Sequence, residues 1–208
     1  MNRSYRTLDA AIRHEPAKIK GSRHIATAAP VANEAEVASL VEHARAEFPK
    51  ANHHAFAWRL GIDASRFRYS DDGEPSGSAG KPILQQIDRL KLTCVAVVVS
   101  RIFGGTRLGV GGLMRAYGGA AAAALERAAV VERVLTATVT ITHDYGDAGA
   151  IQAVLHKAQL EPHSSNYEAQ STLVIHVAVD LVDAFVASVT EATAGRATTT
   201  VIWPALEE

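Results

Sequence analysis

Asp71, Asp72 and Glu74 fall within four positions of one another, and Lys81 follows them. Carboxylates this close could hold a hard cation or clamp a hydrogen-bonding ligand. They could equally cap backbone N–H groups in an Asx-type turn and pair with nearby Arg or Lys. The chain has no second carboxylate cluster of this kind, which favours the turn over a metal. Arg101, Arg107 and Arg115 form a second chemical group, with forked donors suited to phosphate. His53 and His54 are adjacent, so on a strand they point to opposite faces and at most one can share a site. Zinc needs three or four ligands, and the chain has neither a Cys pair nor a His-x-x-x-His spacing, so no metal is expected. Ser70 or Ser76, His53 and Asp72 supply the residue types of a Ser-His-Asp set, but no Gly-x-Ser-x-Gly elbow supports a hydrolase.

These residues are threaded through glycines. Ten of the 15 glycines lie between Gly73 and Gly119. One run holds Ser76, Gly77, Gly80 and Lys81. The other holds Gly104, Gly105, Gly109, Gly111 and Gly112. Glycine loses the most backbone entropy on folding, so such clusters mark tight turns or a close approach of backbone to something else. Exposed N–H groups at a helix N-terminus attract an anion, and glycines let it come near. Neither run is a nucleotide signature. Gly109-Val-Gly111 is followed by Met114 where a dinucleotide fingerprint needs its third glycine. A P-loop ending at Gly80-Lys81 would need glycine at Pro75 and Ser or Thr at Pro82. No cofactor is expected.

The elements that must position these loops follow from periodicity. Residues 5–12 and 18–28 read as strands. Asn33 and Glu36 form a capping pattern ahead of a helix over 34–47, with Val37, Leu40, Val41 and Ala44 at helical spacing. Residues 54–60 alternate as a half-buried strand, and the first glycine run follows as a loop. Residues 83–90 read as a short helix. The β-branched run 93–100 reads as a strand buried on both faces. The second glycine run leaves its end and enters an Ala-rich helix over 112–129, with Gly118 and Gly119 as weak points. From residue 135 the pattern changes. Strands over 135–143, 161–165, 173–179 and 198–203 and helices over 147–158 and 180–193 give the order β-α-β-β-α-β, with Asp147 as helix cap. That order points to a ferredoxin-like split βαβ domain.

Charge divides the chain at the same place. Residues 1–133 hold 19 basic and 13 acidic residues, for +6; residues 134–208 hold 2 and 9, for −7. The expectation is two domains, 1–133 and 134–208, the first being the one to meet an anion. Apolar residues make up 48% of the chain, enough for real cores. No apolar stretch is long enough to span a membrane, and residues 1–9 lack a signal-peptide core. A single cysteine, Cys94, fits a reducing cytoplasm and reads as a small buried hydrophobe.

Two long runs, Ser70-Asp-Asp-Gly-Glu-Pro-Ser-Gly-Ser-Ala-Gly-Lys-Pro82 and Arg101-Ile-Phe-Gly-Gly-Thr-Arg-Leu-Gly-Val-Gly-Gly-Leu-Met-Arg-Ala-Tyr-Gly118, closely resemble the signature of the IMPACT family. Lys20-Gly-Ser-Arg23 and Asn52-His-His54 support the match. Tyr145-Gly-Asp-Ala-Gly149, Tyr167-Glu-Ala-Gln170 and Thr190-Glu-Ala-Thr-Ala-Gly-Arg196 resemble the second domain of bacterial members. Ser78 and Ile102 depart mildly from the pattern, where Thr and an aromatic are usual. The resemblance implies an α+β protein. Its first domain would be like the α/β domain shared by a small-subunit ribosomal protein and domain IV of elongation factor G, and its second like that factor's ferredoxin-like C-terminal domain. It also implies a role near translation, since eukaryotic relatives act in translational control through a partner protein.

Three functions fit these residues. The first is a cytoplasmic, translation-linked regulator that binds RNA or the ribosome through the Gly/Arg loops of the first domain. The second is an enzyme or sensor for a phosphorylated small molecule. The third is a protein-docking module with no activity. The first is preferred, as a binding protein rather than an enzyme, with no membrane contact. The oligomeric state is not encoded in any feature of the chain.

Overall fold

The computed structural model describes residues 4–167 and 170–204, the side chain of Tyr167 excepted. Glu168 and Ala169, part of one motif above, lie outside the described residues. The chain divides into two compact units, the first ending at Arg133 and the second beginning at Val134.

The first unit is built on a five-stranded antiparallel sheet. Its strands are β2 (Ile12–His14), β3 (Arg23–Pro30), β4 (His53–Leu60), β5 (Arg66–Ser70) and β6 (Val95–Ile102), in the spatial order β2-β3-β6-β4-β5. β6 is the valine-rich run, and it takes the centre because it is buried on both faces. Side chains alternate across it. Val98 and Ala96 pack with Trp58 and Val41 under α1 (Glu34–Glu47). Val95, Val97 and Val99 pack with α2 (Gly80–Arg89) and α3 (Val110–Leu125) on the other face. The predicted cap of α1 is present: Glu36 N–H donates to Asn33 Oδ1 at 3.0 Å, and Glu36 Oε2 accepts from Ala32 N–H at 2.8 Å. Ala116, Ala120, Ala121 and Ala124 give α3 a flat face that lies close on the sheet. Gly118 is no weak point, since the helix runs through it and it sits beside Pro82 of α2. A small second sheet pairs β1 (Ser4–Leu8) with β7 (Val130–Val134). The single strand expected over 5–12 is thus two strands serving different sheets.

The second unit runs β8 (Thr136–His143), α4 (Ala148–Ala158), β9 (Ser164–Tyr167), β10 (Ser171–Ala178), α5 (Val182–Ala192) and β11 (Thr198–Ile202). The element order is the predicted β-α-β-β-α-β. The sheet is antiparallel, ordered β11-β8-β10-β9. Alternation is strict: Ala137, Val139 and Ile141 face the helices with Leu173, Ile175 and Val177, while Thr138, Thr140 and Thr142 face away. Asp147 does not cap α4 with its side chain. Its carboxylate instead takes Arg196, with Nη2 at 2.6 Å and Nε at 3.2 Å from both oxygens, tying together two of the quoted motifs.

Candidate functional site

Register brings three polar residues into one row at the end of the first sheet. His24 on β3 and His53 on β4 both pair with Arg101 on β6, so all three point to the α2/α3 face. Glu74 reaches in from the first glycine run to meet them. Its Oε1 accepts from Arg101 Nη1 at 2.6 Å and from the Tyr117 hydroxyl at 2.7 Å, and His53 Nε2 lies 3.8 Å away. The Glu74 and Arg101 side chains are only 4% and 7% exposed. His24 packs edge-on against Tyr117, with ring centroids 5.2 Å apart. Burial, with Arg101's charge adding to it, pushes the His24 imidazole down to about 4. Burial and the bond to Glu74 push the Tyr117 phenol up. His53 Nδ1–H donates to the Asp72 carbonyl at 2.7 Å, which turns Nε2 toward Glu74. His54, on the opposite face as expected, bonds Ser100 at 2.9 Å through Nδ1.

The first glycine run is occupied by its own side chains. Asp71 accepts N–H bonds from Gly77 (2.8 Å), Ala79 (3.0 Å) and Gly80 (2.8 Å). An aspartate thus fills the anion position at the start of α2. Asp72 accepts from Arg45 Nη2 at 2.7 Å and from His54 N–H at 2.6 Å, joining α1 and β4 to the loop. Both carboxylates thus accept backbone N–H groups as the turn reading has it, and Asp72 also pairs with an arginine. Gly80 is required by contact: a Cβ there would sit 2.7 Å from the Ser70 carbonyl oxygen. Ser76 and Lys81 remain at the surface, and Lys81 has no ion-pair partner among the described residues.

The second run is arranged differently. Gly104 abuts the turn at Gly21, where a Cβ would lie 1.9 Å from the Gly21 carbonyl carbon. Asn52 Oδ1 accepts Phe103 N–H at 3.0 Å, and Ser22 Oγ accepts Gly104 N–H at 3.1 Å. Beyond this anchor the loop is open: nothing lies within 4 Å of a Cβ at Gly105 or Gly109. Gly109 provides no capping side chain for α3, so the N–H groups of its first turn are unclaimed by any cap. Arg107 and Arg115 are exposed and have no ion-pair partner among the described residues, and the Arg115 guanidinium lies over Gly111. Phe103, Val110 and Met114 are exposed beside them. Arg101, expected among the phosphate ligands, is instead turned inward by strand alternation and held by Glu74.

Residues 20–125 match the Impact N-terminal domain, and residues 141–196 match a domain of unknown function (DUF1949). The chain belongs to the IMPACT family. It is 33% identical to the IMPACT family member YvyE of Bacillus subtilis over 94% of this chain and 90% of that one. It is 36% identical to the IMPACT family member YigZ of Escherichia coli over 73% of this chain and 76% of that one. A crystal structure described only as that of a hypothetical protein shares the fold over the full length of both chains, with a TM-score of 0.73 and 31% identity. Within this IMPACT family chain, His24, Ser22, Asn52 and Tyr117 were not singled out as site residues from sequence. Each sits inside or beside a quoted motif, which was the available signal. No helix among the described residues is long and apolar enough to cross a membrane.

Proposed function

We propose that this IMPACT family member is a cytoplasmic, translation-linked regulator that binds RNA, on the ribosome or free, through the second glycine loop and the first turn of α3. The supporting observation is that one loop presents Arg107, Arg115, an uncapped helix N-terminus and exposed Phe103 together. Guanidinium groups and helix N–H groups suit phosphate, and an exposed aromatic ring suits an unstacked base. The +6 charge of residues 1–133 acts in the same direction. In the first glycine run Asp71 takes the N–H groups of Gly77, Ala79 and Gly80, so that run offers a ligand the exposed Ser76 and Lys81 side chains rather than these backbone donors. The sheet order β11-β8-β10-β9 supports reading residues 134–208 as a ferredoxin-like domain. Residues 1–133 then form the domain akin to the ribosomal-protein and elongation-factor fold.

Co-sedimentation with ribosomes and with ribosome-free RNA across a salt series tests this function. Association that falls steeply with salt and is lost in Arg107→Ala/Arg115→Ala is expected. Association insensitive to salt and to those substitutions points to protein docking through Val110 and Met114 instead. A second reading, an enzyme or sensor for a phosphorylated small molecule, draws on His53, whose Nε2 is aimed at Glu74 by the bond from Nδ1. Stabilisation by nucleotides or sugar phosphates, lost on His53→Ala, would favour it.

A further inference from the structure

A cleft lies at the opposite end of the first unit's sheet from the glycine loops. It encloses about 590 Å³, between the ends of β1, β4 and α2 and the 61–65 turn. That volume is within the range of small-molecule sites. Six steps along β4 separate His53 from Arg59, which lines the cleft, so the two ends are about 20 Å apart.

The charges in this cleft divide into those used internally and those left free. Arg59 is held on Asp88 at 2.6 Å and over the Phe67 ring at 5.1 Å, and its Nη1 donates to the Ala64 carbonyl. Arg6 and Lys91, both exposed lining residues, have no ion-pair partner among the described residues. Asp63 and Glu132 are likewise without an ion-pair partner among the described residues: Asp63 Oδ1 accepts Ser65 N–H at 3.0 Å, and Glu132 accepts the Ser4 hydroxyl. The bond from Ser65 holds the Asp63 carboxyl below the usual range, which keeps it charged. Arg6 and Lys91 thus line the same cleft as Asp63 and Glu132, none of the four held in an ion pair among the described residues. Two left-handed residues shape the rim: Ala64 (φ 57°) in the 61–65 turn, and Lys91 (φ 53°) just past the end of α2, where Leu92 N–H donates to the Ile87 carbonyl at 3.2 Å.

We propose that this cleft binds a small zwitterion, an amino acid or short peptide, its carboxylate on Arg6 and Lys91 and its ammonium on Asp63 and Glu132. The balance of free charge excludes a ligand of one sign: a phosphate or a polyamine would satisfy half of the groups and repel the rest. The site is independent of the RNA-binding loop and would let the level of an amino compound act on the same domain.

The test is an NMR titration of the ¹⁵N-labelled full chain. The probes are glutamate, glutamine and lysine as free amino acids, diglycine as a peptide, acetate and inorganic phosphate as anions, and methylammonium as a cation. The expected result is saturable shifts at Tyr5, Asp63 and Lys91 with at least one zwitterion at millimolar concentration or below. Amino acids against diglycine decide between the two sources. Lys91→Ala and Asp63→Asn should each weaken binding about tenfold, the loss of one charge-assisted bond, while Arg107→Ala/Arg115→Ala leaves it unchanged. The proposal is overturned if no zwitterion saturates, if acetate, phosphate or methylammonium binds as tightly, or if Lys91→Ala and Asp63→Asn leave affinity intact.

Discussion

Replacing Glu74 by Gln keeps the shape of the site and removes the negative charge paired with Arg101. The guanidinium remains buried, 7% exposed, with a neutral amide where its counter-ion stood. Breaking one side of a buried ion pair costs about 3–5 kcal/mol, because the surviving charge stays out of water. The Tyr117 hydroxyl can still donate to the carbonyl oxygen of the new amide, so Glu74→Gln is placed at about 3 kcal/mol. Glu74→Leu also leaves that hydroxyl without its acceptor, adding about 1 kcal/mol. The double variant Glu74→Leu/Arg101→Met removes both charges. It should be less damaging than the sum of its parts by about 2 kcal/mol or more, since no buried charge is then uncompensated. Urea unfolding of the first unit can be followed by Trp58 fluorescence in a Trp203→Phe background, as these are the chain's two tryptophans and Trp58 is 5% exposed. Destabilisation below about 1 kcal/mol for Glu74→Gln, with an additive double variant, would refute the claim that this pair is a buried, mutually dependent unit.

Asp71→Ala should cost about 2 kcal/mol by freeing three N–H donors at the start of α2, with Asp71→Asn milder; equal unfolding curves for wild type and Asp71→Ala would contradict this. Gly104→Ala pushes a methyl group into the Gly21 backbone and should cost about 3 kcal/mol, whereas Gly105→Ala, with open space around it, should cost less despite its φ of +87°. Stability should also fall with acid through His24. Its folded-state value of about 4 lies below the ordinary 6.5, so the unfolded chain binds a proton that the folded chain refuses. That contribution is complete above pH 6.5 and is lost as pH falls to 4, by about 3 kcal/mol in all; His54, also pushed down by burial, acts in the same sense. His24→Phe should flatten the pH dependence in this window, and an unchanged slope would show that His24 is not its source.

Local chemistry made α1 readable, since its cap and its 3.6-residue period are both written in residues 33–44. The second unit was readable for the same reason, its strands alternating plainly between Thr and Val or Ile. β5 is harder to read: Arg66-Phe-Arg-Tyr-Ser70 alternates basic and aromatic residues, but over only five positions, on an exposed edge strand with neither face buried, and it runs straight into the glycine loop. At the site, Glu74, His53 and Arg101 each stand out in the sequence as polar residues in or beside the glycine runs, but the inward direction of Arg101 does not. Whether it faces solvent or Glu74 depends on the pairing of His24, Arg101 and His53 across three strands distant in sequence. The capping role of Asp71 was legible from its place among glycines, but not which N–H groups it takes, because the turn folds back nine residues to Gly80.

The central claim is that the second glycine loop grips RNA phosphates through Arg107 and Arg115. Its most direct test is the affinity of the full chain for a single-stranded RNA, measured across a salt series for wild type and for Arg107→Ala/Arg115→Ala. Two phosphate contacts on a single strand contribute about 1.4 to the slope of log K against log salt. The account predicts a negative slope for the wild type that becomes shallower by about that amount in the double variant, with weaker binding at every salt. Binding that is flat with salt, or a slope and affinity unchanged by the two substitutions, would contradict it.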